Sequence, residues 1–228
     1  MSSAIALLLL DSLEKTAAMV GISGLIGTLL GVPLGVLLTI TEPGHILPHP
    51  SLQRSLGIVV NLTRSTPFII LMVAIIPFTR FVVGTSVGTG AAIVPLSVAI
   101  TPLLARLVEV SLREVDHGLI EAAQAVGLST VQVVTKVLLP EALPGIVAGL
   151  TTALVSLIGY STMAGTVGGG GLGDLGVRFG YQRFRPDVML AVVVVLVVLV
   201  EGVQLLGDWL ARRVNHRLRP AGNKPDNG

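Results

Sequence analysis

The sequence predicts an all-α membrane protein with five transmembrane helices and a cytoplasmic helix-turn-helix hairpin between the third and fourth spans. Hydrophobic residues make up 52% of the 228 residues and charged residues only 12%, against about 25% charged residues in an average soluble domain. Five apolar stretches are long enough to cross a bilayer, and the one long polar interval carries helix-capping residues on both sides of a glycine. Lipid is therefore the expected solvent for most of the chain.

The five spans are defined by runs with few or no charged residues. A spanning helix needs about 20 mostly apolar residues, and the first run, 16–40, contains no charge. Its Gly27, Gly31 and Gly35 lie four residues apart on one face, a spacing that favours close helix packing. The predicted membrane domain covers residues 16–209, with spans at 16–40, 56–79, 83–106, 142–164 and 187–208, between an N-terminal segment (1–15) and a tail (210–228).

The N-terminal segment does not have the pattern of a cleaved signal peptide. Residues 4–10 are apolar, but no positive charge precedes them and Asp11 follows immediately. We therefore expect residues 1–15 to form an interfacial or periplasmic segment before the first span.

The polar interval predicts two short helices joined by a turn, within a loop at 110–140. Asp116 is suited to cap the first helix, and Gly127 is suited to end it in a left-handed conformation. Ser129 begins a capping box for the second helix, which Pro140 is expected to end.

Lysine and arginine residues set the expected orientation. Ten of them lie on the hairpin side of the five-span arrangement and five on the other, so the hairpin and the C-terminus are expected in the cytoplasm and the N-terminus outside. The ten are Arg54, Arg64, Arg106, Arg113, Lys136, Arg212, Arg213, Arg217, Arg219 and Lys224, and the five are Lys15, Arg80, Arg178, Arg183 and Arg185.

The hairpin contains a spaced motif. Glu-Ala-Ala is followed after three residues by Gly, after nine more by Val, and then by Leu-Pro. This resembles the EAA signature of binding-protein-dependent importer permeases, with valine in place of isoleucine. The resemblance implies the type I ABC importer permease fold, a hairpin that docks on a separate ATPase subunit, and ATP and Mg held by that subunit rather than by this chain. The motif residues are Glu121, Ala122, Ala123, Gly127, Val137, Leu139 and Pro140.

Three further stretches, 61–80, 139–145 and 159–163, closely resemble the methionine-uptake permeases. That resemblance implies a homodimer of permeases in a bacterial inner membrane, with two ABC ATPase subunits and a periplasmic or lipoprotein substrate-binding protein. It also implies transport of methionine, in both the L and D forms. The alternative is another small amino acid or a related solute.

Several other functions are disfavoured. A DNA-binding helix-turn-helix would share the spacing of Ala123, Gly127 and Val133, but its recognition helix would carry one cation, Lys136, and be tethered to the bilayer at both ends. Residues 171–176 match a dinucleotide fingerprint, but no strand precedes them, and a tight turn between spans four and five is the expected structure. The sequence has no cysteine and no phosphate-binding loop, so we predict neither a cysteine-based metal site nor ATP hydrolysis by this chain.

Isolated histidine and acidic residues are predicted to be ordinary surface or helix-end residues. His45 and His49 are predicted to be surface residues rather than metal ligands, and Glu201 is predicted to lie at a solvated or paired helix end.

The expected pathway-lining residues are Ser156, Tyr160 and Met163, which recur at i, i+4 and i+7 on span four. Packing between helices is an equal alternative for these three.

The rival functions are an ion-gradient-driven transporter or channel and a membrane enzyme. The sequence shows neither the central intramembrane acid or internal repeat that is typical of gradient-driven transporters, nor the clustered catalytic residues that an enzyme needs.

Overall fold

The computed structural model describes residues 3–215, and residues 216–228 of the predicted tail lie outside the described part. The described residues contain ten α-helices, three of which are extended by short π-helical segments. In chain order the helices are α1 (Ser3–Ile40), α2 (Pro50–Ser65), α3 (Phe68–Ala74), α4 (Ile76–Val83), α5 (Thr89–Arg113), α6 (His117–Ala125), α7 (Thr130–Val133), α8 (Leu139–Ala164), α9 (Gly171–Leu175) and α10 (Pro186–Val214).

Four helical stretches are long and apolar enough to cross a membrane, and a fifth is obtained if α2 and α3 are taken as one bent span. The four are Ile5–Ile40, Thr89–Arg113, Thr130–Gly169 and Pro186–Val214. The five predicted spans thus correspond to five apolar stretches of the structure, although several boundaries differ.

The N-terminal segment predicted at 1–15 is helical and continuous with the first span in the residues that the structure describes, and its interfacial or periplasmic location stays a prediction. The helix α1 begins at Ser3 and continues without a break into the first span, and its 38 residues make it about 57 Å long at about 1.5 Å per residue. No glycine or proline interrupts the sequence before Gly21. Asp11 and Lys15 form an i, i+4 ion pair of 2.7 Å on the helix surface.

The second predicted span, 56–79, is not one straight helix. Its residues are divided among α2, α3 and α4, and α2 meets α3 at an angle of 105°. Thr66 at the break is extended (φ −84°, ψ 123°) because Pro67 follows it. The third predicted span, 83–106, is likewise displaced, since α5 runs from Thr89 to Arg113.

The prediction that Pro140 ends the second hairpin helix is also wrong. The helix α7 continues through a π-helical segment, Val134–Leu138, directly into α8. Pro140 is the second residue of α8 and lacks the N–H that would bond back to the preceding helical segment, so the helix continues past it with one backbone donor fewer. The second half of the hairpin and the fourth span are therefore one helical stretch of 40 residues, Thr130–Gly169.

Helices α1 and α5 lie side by side and run in the same direction, with the glycine stripe at their interface. A Cβ at Gly31 would lie 2.8 Å from Cβ of Leu104, and a Cβ at Gly35 would lie 2.5 Å from the carbonyl oxygen of Ala105. The stripe therefore packs within this chain, where it lets the two backbones approach closely.

The core is divided into clusters along this pair. One cluster joins α1, α5 and α8 through buried residues that include Met19, Leu96, Ile100 and Leu157. A second lies at the hairpin end and consists of Val108, Leu112, Val115, Ile120, Val133, Leu138 and Ala142. The hairpin is thereby attached to the ends of α5 and α8.

The segment between spans four and five is not the tight turn that the sequence predicted. It forms α9, which packs against α1, and a π-helical extension, Gly176–Tyr181, which packs against α10. Leu172 is fully buried, and its N–H donates to Oγ1 of Thr16 at 2.9 Å. Positive φ angles at Gly168, Gly170 and Gly171 turn the chain into this position.

Candidate functional site

The two hairpin helices are fixed by local hydrogen bonds. Oδ1 of Asp116 accepts from the Gly118 N–H at 2.6 Å at the start of α6. Gly127 has φ +87° at the turn, and Ser129 and Gln132 form a reciprocal capping box at the start of α7. These contacts satisfy helix-end groups that would otherwise lack partners, so the turn geometry is specified by its own sequence.

The inner side of the hairpin is apolar and packed. Ile120, Val133 and Leu138 are buried against Val108 and Leu112 of α5. A displacement of the hairpin must therefore displace the end of α5 or open this cluster.

The outer side of the hairpin is also partly apolar, yet it is exposed. Val126 is 83% exposed, Val131 is 71% exposed and Leu119 is 45% exposed. Glu121 and Ala122 are exposed on the same helix as Leu119. We call Leu119, Glu121, Ala122, Val126 and Val131 the hairpin surface. Clustered exposed apolar side chains of this kind, next to a charge, are typical of a protein-binding surface.

The seven motif residues are divided between this surface and the packed interior. Glu121, Ala122, Gly127 and Pro140 are exposed, whereas Ala123, Val137 and Leu139 are partly buried. Ala123 and Leu139 pack against the buried hairpin cluster. The motif thus combines surface residues with residues that attach the surface to the membrane helices.

An ion-pair network beside the hairpin was missed by the sequence analysis. Glu109 of α5 has no exposed side-chain surface, and its Oε2 accepts from Nη1 of Arg106 at 2.7 Å. Its Oε1 lies 2.7 Å from Nη2 of Arg113, an ion-pair distance without hydrogen-bond alignment. Arg113 also donates to both carboxylate oxygens of Glu42, at 3.1 and 3.0 Å. The i, i+3, i+7 spacing of Arg106, Glu109 and Arg113 was the available signal.

The histidine prediction requires a correction at His45. This side chain is half-buried, its ring centroid lies 5.6 Å from that of His117, and its Nδ1 is buried without a hydrogen-bond partner among the described residues. Burial lowers the pKa of His45, as do the nearby His117 and Arg113, while Glu42 opposes them. His49 is exposed, and residues 3–215 contain no group of three potential metal ligands.

The three expected pathway-lining residues do not share one cavity. Tyr160 stacks on Phe68 with ring centroids 4.9 Å apart, beside a cavity of about 160 Å³ that Arg64 also lines. Ser156 lines another cavity, of about 440 Å³, between α8 and α10, and Met163 is 46% exposed. Glu201 is exposed on α10. Whether the three residues line a pathway stays a prediction.

Residues 31–220 match the family model described as the inner membrane component of binding-protein-dependent transport systems. The match covers most of the chain. The chain belongs to this family. It is therefore a multi-pass membrane component of a transport system and not an enzyme. The motif on the hairpin is accordingly the permease signature and not a DNA-binding helix-turn-helix.

Curated members of the family are close in sequence to this permease. It is 53% identical over 210 residues to a probable D-methionine transport system permease protein, MetI, of Vibrio cholerae, covering 92% of this chain and 93% of the relative. It is 51% identical over 165 residues to the D-methionine transport system permease protein MetI of Escherichia coli K12, covering 72% and 76%.

Solved structures agree with the type I importer permease fold. A chain of the MetNI methionine ABC transporter in an inward-facing conformation superposes with a TM-score of 0.92 at 50% identity, covering 94% of this chain and 99% of that one. A chain of an amino acid ABC transporter crystallised with histidines has a TM-score of 0.75 at 17% identity, which supports the fold alone.

Proposed function

We propose that this chain is the permease subunit of an ATP-driven importer for methionine, in the L and D forms. The observation that carries the proposal is the hairpin surface, an exposed apolar and charged face held rigidly at the ends of α5 and α8. The chain is 53% identical to a relative named as a D-methionine permease and 50% identical to a chain of a methionine ABC transporter, which supports methionine as the substrate. The alternative substrate is another small amino acid.

The hairpin surface is the proposed docking site for an ABC ATPase subunit. ATP and Mg are bound by that subunit, and this chain receives the resulting movement through its hairpin. Small Ala122 leaves a shallow face between Leu119 and Val126, which fits insertion into a cleft of a partner.

Two copies of the permease, two ATPase subunits and a substrate-binding protein make up the proposed transporter. The pathway runs between the two permease copies, and Ser156, Tyr160 and Met163 of α8 line it. Their partial exposure in the single chain supports this role, because a side chain buried within one copy is not accessible to a solute.

The hairpin and the C-terminus are proposed to face the cytoplasm of a bacterial cell, with the N-terminus outside the inner membrane. The lysine and arginine count supports this orientation. The helix directions agree with it, since the end of α1 lies beside the hairpin while Thr16, near its start, contacts Leu172 far from the hairpin.

Reconstitution in liposomes tests the proposal. The permease is combined with its ATPase subunit and its substrate-binding protein, and uptake of labelled L- and D-methionine is measured with and without ATP. We expect uptake only with ATP, and unchanged uptake when ionophores abolish the proton and sodium gradients. Uptake that follows a gradient without ATP would contradict the proposal and favour a secondary transporter.

A further inference from the structure

The loop between α1 and α2, residues 41–49, contacts the hairpin region directly. Glu42 accepts two hydrogen bonds from Arg113 at the end of α5, and the ring of His45 lies 5.6 Å from that of His117, the first residue of α6. Ile46 packs against the buried hairpin cluster. An ion pair, a ring contact and an apolar contact therefore join this loop to α5 and α6.

The loop is itself held in a defined shape. The Leu47 N–H donates to the Ile40 carbonyl at 2.9 Å, and the His49 N–H donates to the Thr41 carbonyl at 2.9 Å. The side chain of Thr41 donates to the Leu37 carbonyl at 2.6 Å. These bonds attach the loop to the last turn of α1, so the loop moves with that helix.

Arg113 is fixed on the other side by Glu109. The Glu109 carboxylate is fully buried, and a buried carboxylate is tolerated only where cations remain beside it. Arg106 and Arg113 are these cations, and departure of Arg113 would leave the buried carboxylate with Arg106 as its single cation among the described residues. The network therefore extends from Glu42 through Arg113 and Glu109 to Arg106, and Arg113 lies three residues before the Asp116 cap of α6.

We propose that the 41–49 loop is a brace that holds α6 against α1 and α5, and that Glu42, His45 and Arg113 are positioning residues for coupling ATP hydrolysis to uptake. This inference rests on the proposed ATPase docking at the hairpin surface. The chain enters α6 through a short connection, residues 114–116. A force on the hairpin surface would tend to tilt α6 about this connection, and the buried hairpin cluster opposes the tilt on the side of α5 and α8. The brace adds a support on the side of α1, and it passes the displacement to that helix.

The test compares the amount of substrate taken up for each ATP hydrolysed. Glu42→Ala removes the acceptor of both Arg113 bonds, and the double variant with His45→Ala also removes the ring contact. Glu42→Ala leaves Glu109 between its two arginines. We expect unchanged ATPase co-purification and basal ATP hydrolysis, but uptake per ATP lowered at least fivefold in the double variant.

A conservative series separates positioning from folding. Glu42→Asp keeps the carboxylate and should retain more than half of the uptake per ATP, whereas Glu42→Gln removes the charge and should resemble Glu42→Ala. Asp11→Ala is the matched control, since Asp11 forms an exposed ion pair with Lys15 on α1 before the contact between Thr16 and Leu172. This control should leave the ratio unchanged.

Four results would overturn the brace. The first is an unchanged uptake per ATP in the double variant, and the second is an equal loss of uptake per ATP in the Asp11→Ala control. The third is a loss of ATPase co-purification together with the loss of uptake per ATP. The fourth is a proportional fall of uptake and ATP hydrolysis, which leaves uptake per ATP constant. The proposed function is tested separately in the same preparations by the unsubstituted permease. If that protein neither binds the ATPase nor transports with ATP, the permease proposal fails and the brace fails with it.

Discussion

Gly127→Val tests whether the geometry of the hairpin turn controls coupling. Gly127 has φ +87°, and no described heavy atom would lie within 4 Å of a Cβ at this position. A Cβ at this position therefore meets no neighbour, and the expected cost arises from the backbone conformation. A non-glycine residue in the left-handed region costs about 1–2 kcal/mol, and β-branched residues tolerate it least.

A backbone cost of this size is enough to change the conformation of the hairpin turn. About 1.4 kcal/mol changes an equilibrium tenfold, so we expect the population of the observed turn to fall by about five- to thirtyfold relative to turns that relieve the strain. The hairpin surface would then be presented at the wrong angle. The spans are not affected, because the buried contacts of α1, α5 and α8 do not involve this residue.

The assay is uptake and substrate-stimulated ATP hydrolysis in liposomes that contain equal amounts of each permease. Gly127→Val should reach the membrane normally, yet lose its ATPase subunit or hydrolyse ATP without transport. Gly127→Asn is the conservative control, because asparagine tolerates positive φ. Gly57→Val adds the same side chain within α2, at a glycine without positive φ and also without neighbours within 4 Å among the described residues. Full coupling in Gly127→Val would refute the role of the turn.

Three further outcomes are expected. Gly31→Leu should destabilise the α1–α5 interface by about 1–3 kcal/mol through overpacking and lower the thermal midpoint in detergent. Gly21→Leu is the control on the same helix, because a Cβ there has no described atom within 4 Å, and it should leave the midpoint unchanged. Equal midpoints for the two variants would contradict the packing role. The pKa of His45 is lowered from 6.5 in the folded protein, so the unfolded state binds more protons as the pH falls below 6.5. The contribution of His45 to the free energy of unfolding should therefore be fully present above pH 6.5 and be lost as the pH drops. His45→Gln should flatten this pH dependence in thermal melts. Tags at the two termini should be accessible from opposite sides of the membrane, and two cytoplasmic tags would contradict the odd number of spans.

Features that depend on neighbouring residues were predicted well from the sequence. The Asp116 cap, the positive φ at Gly127 and the Ser129–Gln132 capping box each require only a few consecutive residues. The motif spacing and the apolar runs are equally local, and they led to the family and the fold class.

Features that depend on distant contacts were not predicted. Pro67 signals a break, but the 105° angle between α2 and α3 is set by packing against α5 and α8. The i, i+3, i+7 spacing of Arg106, Glu109 and Arg113 was a signal that these side chains are neighbours on α5, and it was not used. The participation of Glu42, 71 positions from Arg113, follows only from the parallel packing of α1 and α5. The helix α9 was missed because its glycines predict a turn, whereas burial of Leu172 and Leu175 favours a helix.

The attachment of the hairpin explains how a movement at its surface can reach several membrane helices at once. Its first helix follows α5 through a short connection, and its second is continuous with α8. Both share one buried cluster with α5, so the hairpin transmits displacement as a rigid body. The π-helical segment Val134–Leu138 interrupts the α-helical hydrogen bonding between α7 and α8, and π-bulges are among the recognised causes of helix kinks. Bending there would let α8 tilt relative to the hairpin, while α5 and, through Glu42, α1 follow the hairpin directly. Displacement of the hairpin is therefore expected to move α1 and α5 together and to change their angle to α8.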